Sequence, residues 1–338
     1  MFKRILVPLD GSELAERALP VAAQIARAAG GSLLLFGVVP TPVEYGVYFV
    51  PASSYGWGEE QGVLKEMSAY LQQTANLPLL AGVPVETQAI AEAVAPAILT
   101  AERTFRADLV VMSSHGYTGV RRWVLGSVAQ KVARHSSVPV LVLRADGTPL
   151  TLDQPPRVLV PLDGSALAEA AIEPAIQLAA AFSWIVPGEV CLLRVITVPP
   201  VSGRFRGGAY IDYERAVIAE KKLAAHTYLQ ALKKQLRESM PASMQLTTSI
   251  IVDTDIAGGI IYMGEPDGPT GEKAYAAIAM ATHGRSGLRR WALGSITERV
   301  LGATHLPLLI VRPGIEQEQP EPVGAGIKAG DMPWVGLL

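Results

Sequence analysis

The sequence predicts an α/β protein in which one unit, a parallel sheet covered by helices on both faces, is built twice. Three observations point there. Short continuous apolar runs alternate with longer amphipathic ones; the first half of the chain returns in the second; and 49% hydrophobic against 18% charged residues leaves ample material for packed cores. At about 150 residues per domain, 338 residues correspond to roughly two domains.

Taken in order, Ile5–Leu9 is a short apolar run of strand type, and Leu14, Ala18, Val21, Ala22 and Ile25 then recur at helical spacing. Leu33–Val39 is a second strand. Val63, Met67, Tyr70 and Leu71 form a helical stripe, Val85–Ala91 a strand and Ala97–Phe105 a helix. Leu109–Met112 reads as a strand, Val128–Ala133 as a helix and Val138–Leu143 as the last strand. Pro20 and its counterpart Pro174 fall inside the first helix of each half, where proline costs about 3 kcal/mol; the stripe continues beyond, so a kink is expected.

The repeat is direct. ILVPLDGSELAERAL at 5–19 returns as VLVPLDGSALAEAAI at 158–172, an offset of 153; SSHGYTGVRRWVLGSVAQKVARHSSVPVLVLR at 113–144 returns at 281–312, an offset of 168. The second copy has gained 15 residues, with the turn-rich Gly264–Gly271 the most visible place for them. The segment 144–156, rich in Pro, Gly and Asp, reads as a linker, giving domains at 1–146 and 156–313; 314–338 reads as a disordered tail.

Composition excludes several function classes. With 29 Lys and Arg against 31 Asp and Glu, no global field steers the chain to nucleic acid. The mean hydropathy is +0.28, yet the longest apolar stretch, around Leu178–Val186, stops well short of the ~20 residues that span a bilayer. No apolar signal region opens the chain, and Cys191 sits alone in an apolar run, so a cytoplasmic protein with one buried structural thiol is expected.

In an open parallel sheet, ligands bind at the carboxyl ends of the strands. Two segments of each half should meet there. One is Pro8-Leu9-Asp10-Gly11-Ser12, with its copy Pro161-Leu162-Asp163-Gly164-Ser165. The other runs from Ser113-Ser114-His115-Gly116 over nine residues to Gly126-Ser127-Val128, with its copy Ala281-Thr282-His283-Gly284 and Gly294-Ser295-Ile296. Glycines let a backbone approach an anion, and a helix opening at Gly126-Ser127 offers free N–H groups and a positive dipole end.

These residues resemble the universal stress protein family, which carries a glycine, two residues, a glycine, nine residues and Gly-Ser or Gly-Thr after a strand, and an Asp after the first strand. Both halves match nearly everything up to Arg312, so the chain is similar to a tandem of two such domains. The resemblance implies two Rossmann-like, adenine nucleotide α-hydrolase-like domains, each an open five-stranded parallel sheet. It implies ATP or another adenine nucleotide as ligand, with or without Mg²⁺. Asp10 and Asp163 would lie by the adenosine; Pro8, Leu9 and Val38, with Pro161, Leu162 and Val195, would form the base pocket. Gly116, Gly126, Ser127 and Val128 would meet the phosphates, as would Gly284, Gly294, Ser295 and Ile296. One departure stands out: Ser113 and Ala281 occupy the first motif glycine, and a position needing positive φ would be strained by either side chain.

Each residue also has a plainer reading. Asp10 can cap the first helix, and Ser127 and Ser295, followed by Gln130 and Glu298, have capping-box spacing. His115 and His283 invite a general-base role, although no triad partner accompanies them and a turn-stabilising hydrogen bond is favoured. Arg121, Arg122 and Trp123, like Arg289, Arg290 and Trp291, would either clamp a γ-phosphate or lie solvated. His135, His226 and His305 show no metal spacing. Five of the 21 aromatics, Tyr45, Tyr48, Phe49, Tyr55 and Trp57, mark the segment 40–58 as a lid, a partner surface or a packed loop. No GxGxxG or GxxxxGK[ST] follows a strand, and 268–273 only superficially resembles a phosphate loop.

Three functions are compatible with this reading: a non-catalytic nucleotide-dependent stress sensor, which leads; a slow ATP hydrolase; and a nucleotide-free scaffold. The last strand of each half is apolar to its end and should lie at a sheet edge. In the family such edges look like dimer contacts, so the two halves are expected to pair through them as an intramolecular pseudo-dimer. Homodimerisation of the whole chain and an unidentified protein partner stay open.

Overall fold

Among the described residues ten strands join into one sheet, and their chain order explains where a ligand could sit. The computed structural model describes residues 1–40, 57–114, 126–144, 147, 156–183, 187–197, 208–238, 240–241, 244–265, 275–283 and 293–313. The first half contributes β1 (Arg4–Leu9), β2 (Ser32–Val39), β3 (Val85–Ala91), β4 (Leu109–Ser113) and β5 (Val140–Leu143). The second contributes β6 (Arg157–Pro161), β7 (Glu189–Ile196), β8 (Gln245–Val252), β9 (Ala277–Ala281) and β10 (Leu308–Val311). The sheet order is β3-β2-β1-β4-β5-β10-β9-β6-β7-β8. All pairs are parallel except β5 and β10, which run antiparallel with Leu141 opposite Leu309. Strand order reverses between β1 and β4, and again between β6 and β9, which are the crevice positions of doubly wound sheets.

The helices sort to the two faces. The connections after β1, β2, β6 and β7 hold α1 (Glu13–Glu16), α2 (Ala18–Ala29), α3 (Trp57–Ala75), α6 (Ala166–Glu169), α7 (Ile172–Ala181) and α8 (Gly208–Arg237). The opposite face carries α4 (Val94–Phe105), α5 (Ser127–His135), α9 (Ile256–Gly264) and α10 (Ser295–Ala303). Side chains alternate across each strand, so Ile5 and Val7 enter one core and Leu6 the other. Both cores draw on both halves. Ile25 and Ile176 lie in one, Ile98 and Ile260 in the other.

Several expectations are corrected. The first helix of each half is broken rather than kinked, into α1 and α2 and into α6 and α7. Pro20 and Pro174 stand third in α2 and α7, where the N–H they lack has no intrahelical partner, and their rings exclude a continuous helix through the carbonyl four residues back. Val63, one of the four residues of the helical stripe, is exposed. The extra residues of the second half are not gathered at Gly264–Gly271. Strand registers place Arg4 against Arg157, Ser32 against Glu189, Val85 against Leu246 and Leu109 against Ala277. The offset therefore grows from 153 to 157, 161 and 168, in three separate connections.

Cys191 is buried as expected, and desolvation pushes its thiol above the ordinary range, away from reactivity. No described helix is long and apolar enough to cross a membrane. Among the described residues no group of three or more His, Cys, Asp or Glu could hold a metal ion. His115, Gly116, Gly284, the arginine and tryptophan residues at 121–123 and 289–291, the aromatics Tyr45 to Tyr55 and the tail 314–338 lie outside the described residues.

Candidate functional site

At the carboxyl end of β6 the chain turns sharply. Gly164 has φ of +83°, and Asp163 Oδ1 accepts from both the N–H (2.9 Å) and the hydroxyl (2.6 Å) of Ser165. Ser165 in turn accepts from the Ala168 N–H and caps α6. Asp10, Gly11 (φ +82°) and Ser12 repeat the arrangement ahead of α1, so the serines are the caps and both aspartates hold the turns.

The second segment approaches from the neighbouring strand. The Gly294 N–H donates to the Thr282 carbonyl at 2.7 Å, and the Gly126 N–H to Ser114 at 2.8 Å, closing a loop at the end of β9 and of β4. A Cβ at 294 would stand 2.9 Å from that Thr282 oxygen, which accounts for a glycine there without any ligand. The capping boxes expected at Ser127 and Ser295 are not formed. Gly126 and Gly294 are the N-caps, the serines are the first helical residues, and neither helix has a side-chain cap. Among the described residues, the serine hydroxyls and the first N–H groups of α5 and α10 thus stand at helix N-termini with no side-chain cap, a donor set that fits an anion.

Ser113 and Ala281 end their strands with ordinary backbone: among described non-glycine residues only Arg106 has positive φ. The expected strain at the missing motif glycine is therefore absent. Ser113 is buried, as is Ala281, whose carbonyl accepts from Thr297 Oγ1 at 2.9 Å. His283 Nδ1 lies 3.1 Å from Thr282 Oγ1, the turn-stabilising bond favoured above, and its buried Nε2 has no partner among the described residues.

In the second half these pieces line an open cavity of about 690 Å³. It brings together Pro161, Leu162, Asp163, Val195, Ala281, His283, Gly294, Ser295 and Ile296, every expected residue of that half that is described. In the first half, Pro8 and Leu9 end β1 and Asp10 follows it; Val38 lies near the end of β2; Gly126, Ser127 and Val128 open α5.

Two lining cations were not anticipated. Arg194 on β7 donates to the Leu162 carbonyl at 2.8 Å, and Lys221 on α8 to the Thr197 carbonyl at 2.7 Å. Tyr228, also on α8, donates to Glu169 at 2.7 Å as Tyr70 donates to Glu16 at 2.8 Å. Burial, followed by the adjacent carboxylate, holds both phenols protonated above the ordinary tyrosine range. The shared Tyr-Leu-Gln at 70–72 and 228–230 was the sequence signal that aligns the two helices.

Comparison with known proteins agrees with this architecture. The profile of the Universal stress protein family matches residues 1–144 and 269–312. A Thermus aquaticus protein described as a universal stress protein is 35% identical over 146 residues, covering 43% of this chain and 100% of its own length. A universal stress protein of Mycolicibacterium smegmatis is 24% identical over 245 residues, 69% of this chain and 70% of that one. The crystal structure of a universal stress protein from Archaeoglobus fulgidus superposes with a TM-score of 0.60 at 18% identity, over 93% of this chain and 97% of that chain, and shares the fold. With more than half of its residues matched by the family profile, and that fold, the chain belongs to the universal stress protein family.

Proposed function

We propose that the chain is a non-catalytic, adenine-nucleotide-binding stress-response protein, with ATP or a related nucleotide held in the cavity at the ends of β6, β7 and β9. The observation that carries this reading is the cavity itself, which gathers two sequence blocks lying more than a hundred residues apart. Pro161, Leu162 and Val195 offer an apolar wall for a base, and Asp163, which lines the cavity beside them, would lie by the ribose. The first turn of α10, with Ser295, supplies donors for phosphate. The equivalent groups of the first half, Pro8, Leu9, Asp10, Val38, Gly126, Ser127 and Val128, form the second copy. Asp163 Oδ1 accepts from the Ser165 hydroxyl and His283 Nδ1 lies against Thr282 Oγ1, contacts that hold the turns rather than assemble a nucleophile–base pair.

Domain boundaries at 1–146 and 156–313 accompany this reading, with the halves acting as an intramolecular pseudo-dimer; the antiparallel β5–β10 pairing supports it. Calorimetry on nucleotide-stripped protein tests the function. Saturable heat with ATP and Mg²⁺, without steady release of phosphate, is expected. No heat at millimolar nucleotide would exclude the binding reading, and sustained turnover would exclude the non-catalytic one.

A further inference from the structure

The two halves carry the same cap and the same Tyr–Glu pair, yet their ligand ends differ in charge. Strand register sets Arg194 opposite Gly37 in the repeat, because Pro8 pairs Phe36 as Pro161 pairs Leu193. Alignment of α8 on α3 through Tyr228 and Tyr70 sets Lys221 against Val63, Ala224 against Glu66 and Ala225 against Met67. The lining positions that hold Asp163, Arg194 and Lys221 in the second half thus hold Asp10, Gly37 and Val63 in the first, with Glu66 where the second has Ala224. Formal charge at these positions is +1 in the second half and −2 in the first.

Size is exchanged along with charge. A Cβ at Gly37 would stand 2.6 Å from both Cγ and Sδ of Met67, so the methionine lies over the glycine where the second half has an arginine over an alanine. Arg194 and Lys221 are held by the carbonyls of Leu162 and Thr197 at the rim of the cavity. Strand order puts them on β7's side of β6, while α10 opens on β9's side. At about 4.8 Å between strands, the two poles are set apart along the sheet by on the order of 10 Å, with β6 between them.

We infer that the second cavity selects a nucleotide that is anionic at both ends: phosphate toward α10 and a further phosphate on the ribose toward Arg194 and Lys221. The first half takes a ligand uncharged at that end. This sorting by charge rests on the nucleotide-binding reading above. It is tested on the full-length, nucleotide-stripped chain by calorimetry with AMP and with adenosine 3′,5′-bisphosphate at low ionic strength. The bisphosphate is expected to bind one site per chain about tenfold more tightly than AMP, the scale of two partly exposed ion pairs. In Arg194→Gly/Lys221→Val, and to a lesser degree in Lys221→Gln, the ratio of the two affinities falls toward one, with circular dichroism melts confirming the fold. Equal affinities in the unsubstituted chain, or a ratio unmoved by both variants, would overturn the sorting while leaving nucleotide binding intact. Binding of neither nucleotide would overturn both.

Discussion

Asp255 and Arg299 show how a single contact ties two elements beside the site. Both Arg299 Nη atoms reach the Asp255 carboxylate at 2.7 Å, joining the start of α9 to α10. The guanidinium, helped by the Gly258 N–H, holds the Asp255 carboxyl below the usual aspartate range. A lowered folded-state value contributes stability above the ordinary aspartate range, about pH 4, and that contribution fades as pH falls through the lowered value. Carboxyl NMR titration should therefore find Asp255 titrating below the ordinary aspartate value, and moving up toward it in Arg299→Ala. An unchanged midpoint in that variant would assign the shift elsewhere. Residue roles were unevenly legible in the sequence. The aspartate turns could be read because Asp-Gly-Ser imposes a local cap. The capping boxes at Ser127 and Ser295 were misassigned because Gly126 and Gly294 already hold the cap position, tied to Ser114 and Thr282 by long-range bonds that spacing does not reveal.

Elements were legible wherever burial on both faces writes a continuous apolar run, as in β2 and β4, whose bounds differ from the expected ones by a single residue. Lengths of connections were not. The second half's additions are shared among three connections, and only the last of them, through Gly264–Gly271, carries a compositional mark. Prolines make a sharper test. Because Pro20 and Pro174 sit at the third position of α2 and α7, their missing N–H groups break no helical bond. Pro20→Ala and Pro174→Ala should each change unfolding free energy by less than about 1 kcal/mol in denaturant titrations, mainly through the unfolded chain. A loss near the ~3 kcal/mol scale of helix-interior proline effects would mean that the break itself supports the fold.

At the scale of the molecule, the sheet and both cores run through the two halves. Gln24 donates to the Ala181 carbonyl at 3.2 Å, Arg144 to Leu301 at 3.1 Å, and α2 packs against α7. Differential scanning calorimetry should accordingly record one cooperative transition, with calorimetric and van't Hoff enthalpies in agreement. Two resolved transitions would show halves that melt independently. The β5–β10 seam has one more consequence. Each half spends its most apolar margin on the other, so the strands left at the ends of the sheet are β3 and β8. These are the ones interrupted by polar side chains, Glu86 and Gln88 on one and Thr247 and Ser249 on the other. Among the described residues, the edges left for strand addition are therefore the more polar ones, a weaker template for a second copy of the chain than the β5 and β10 margins would be.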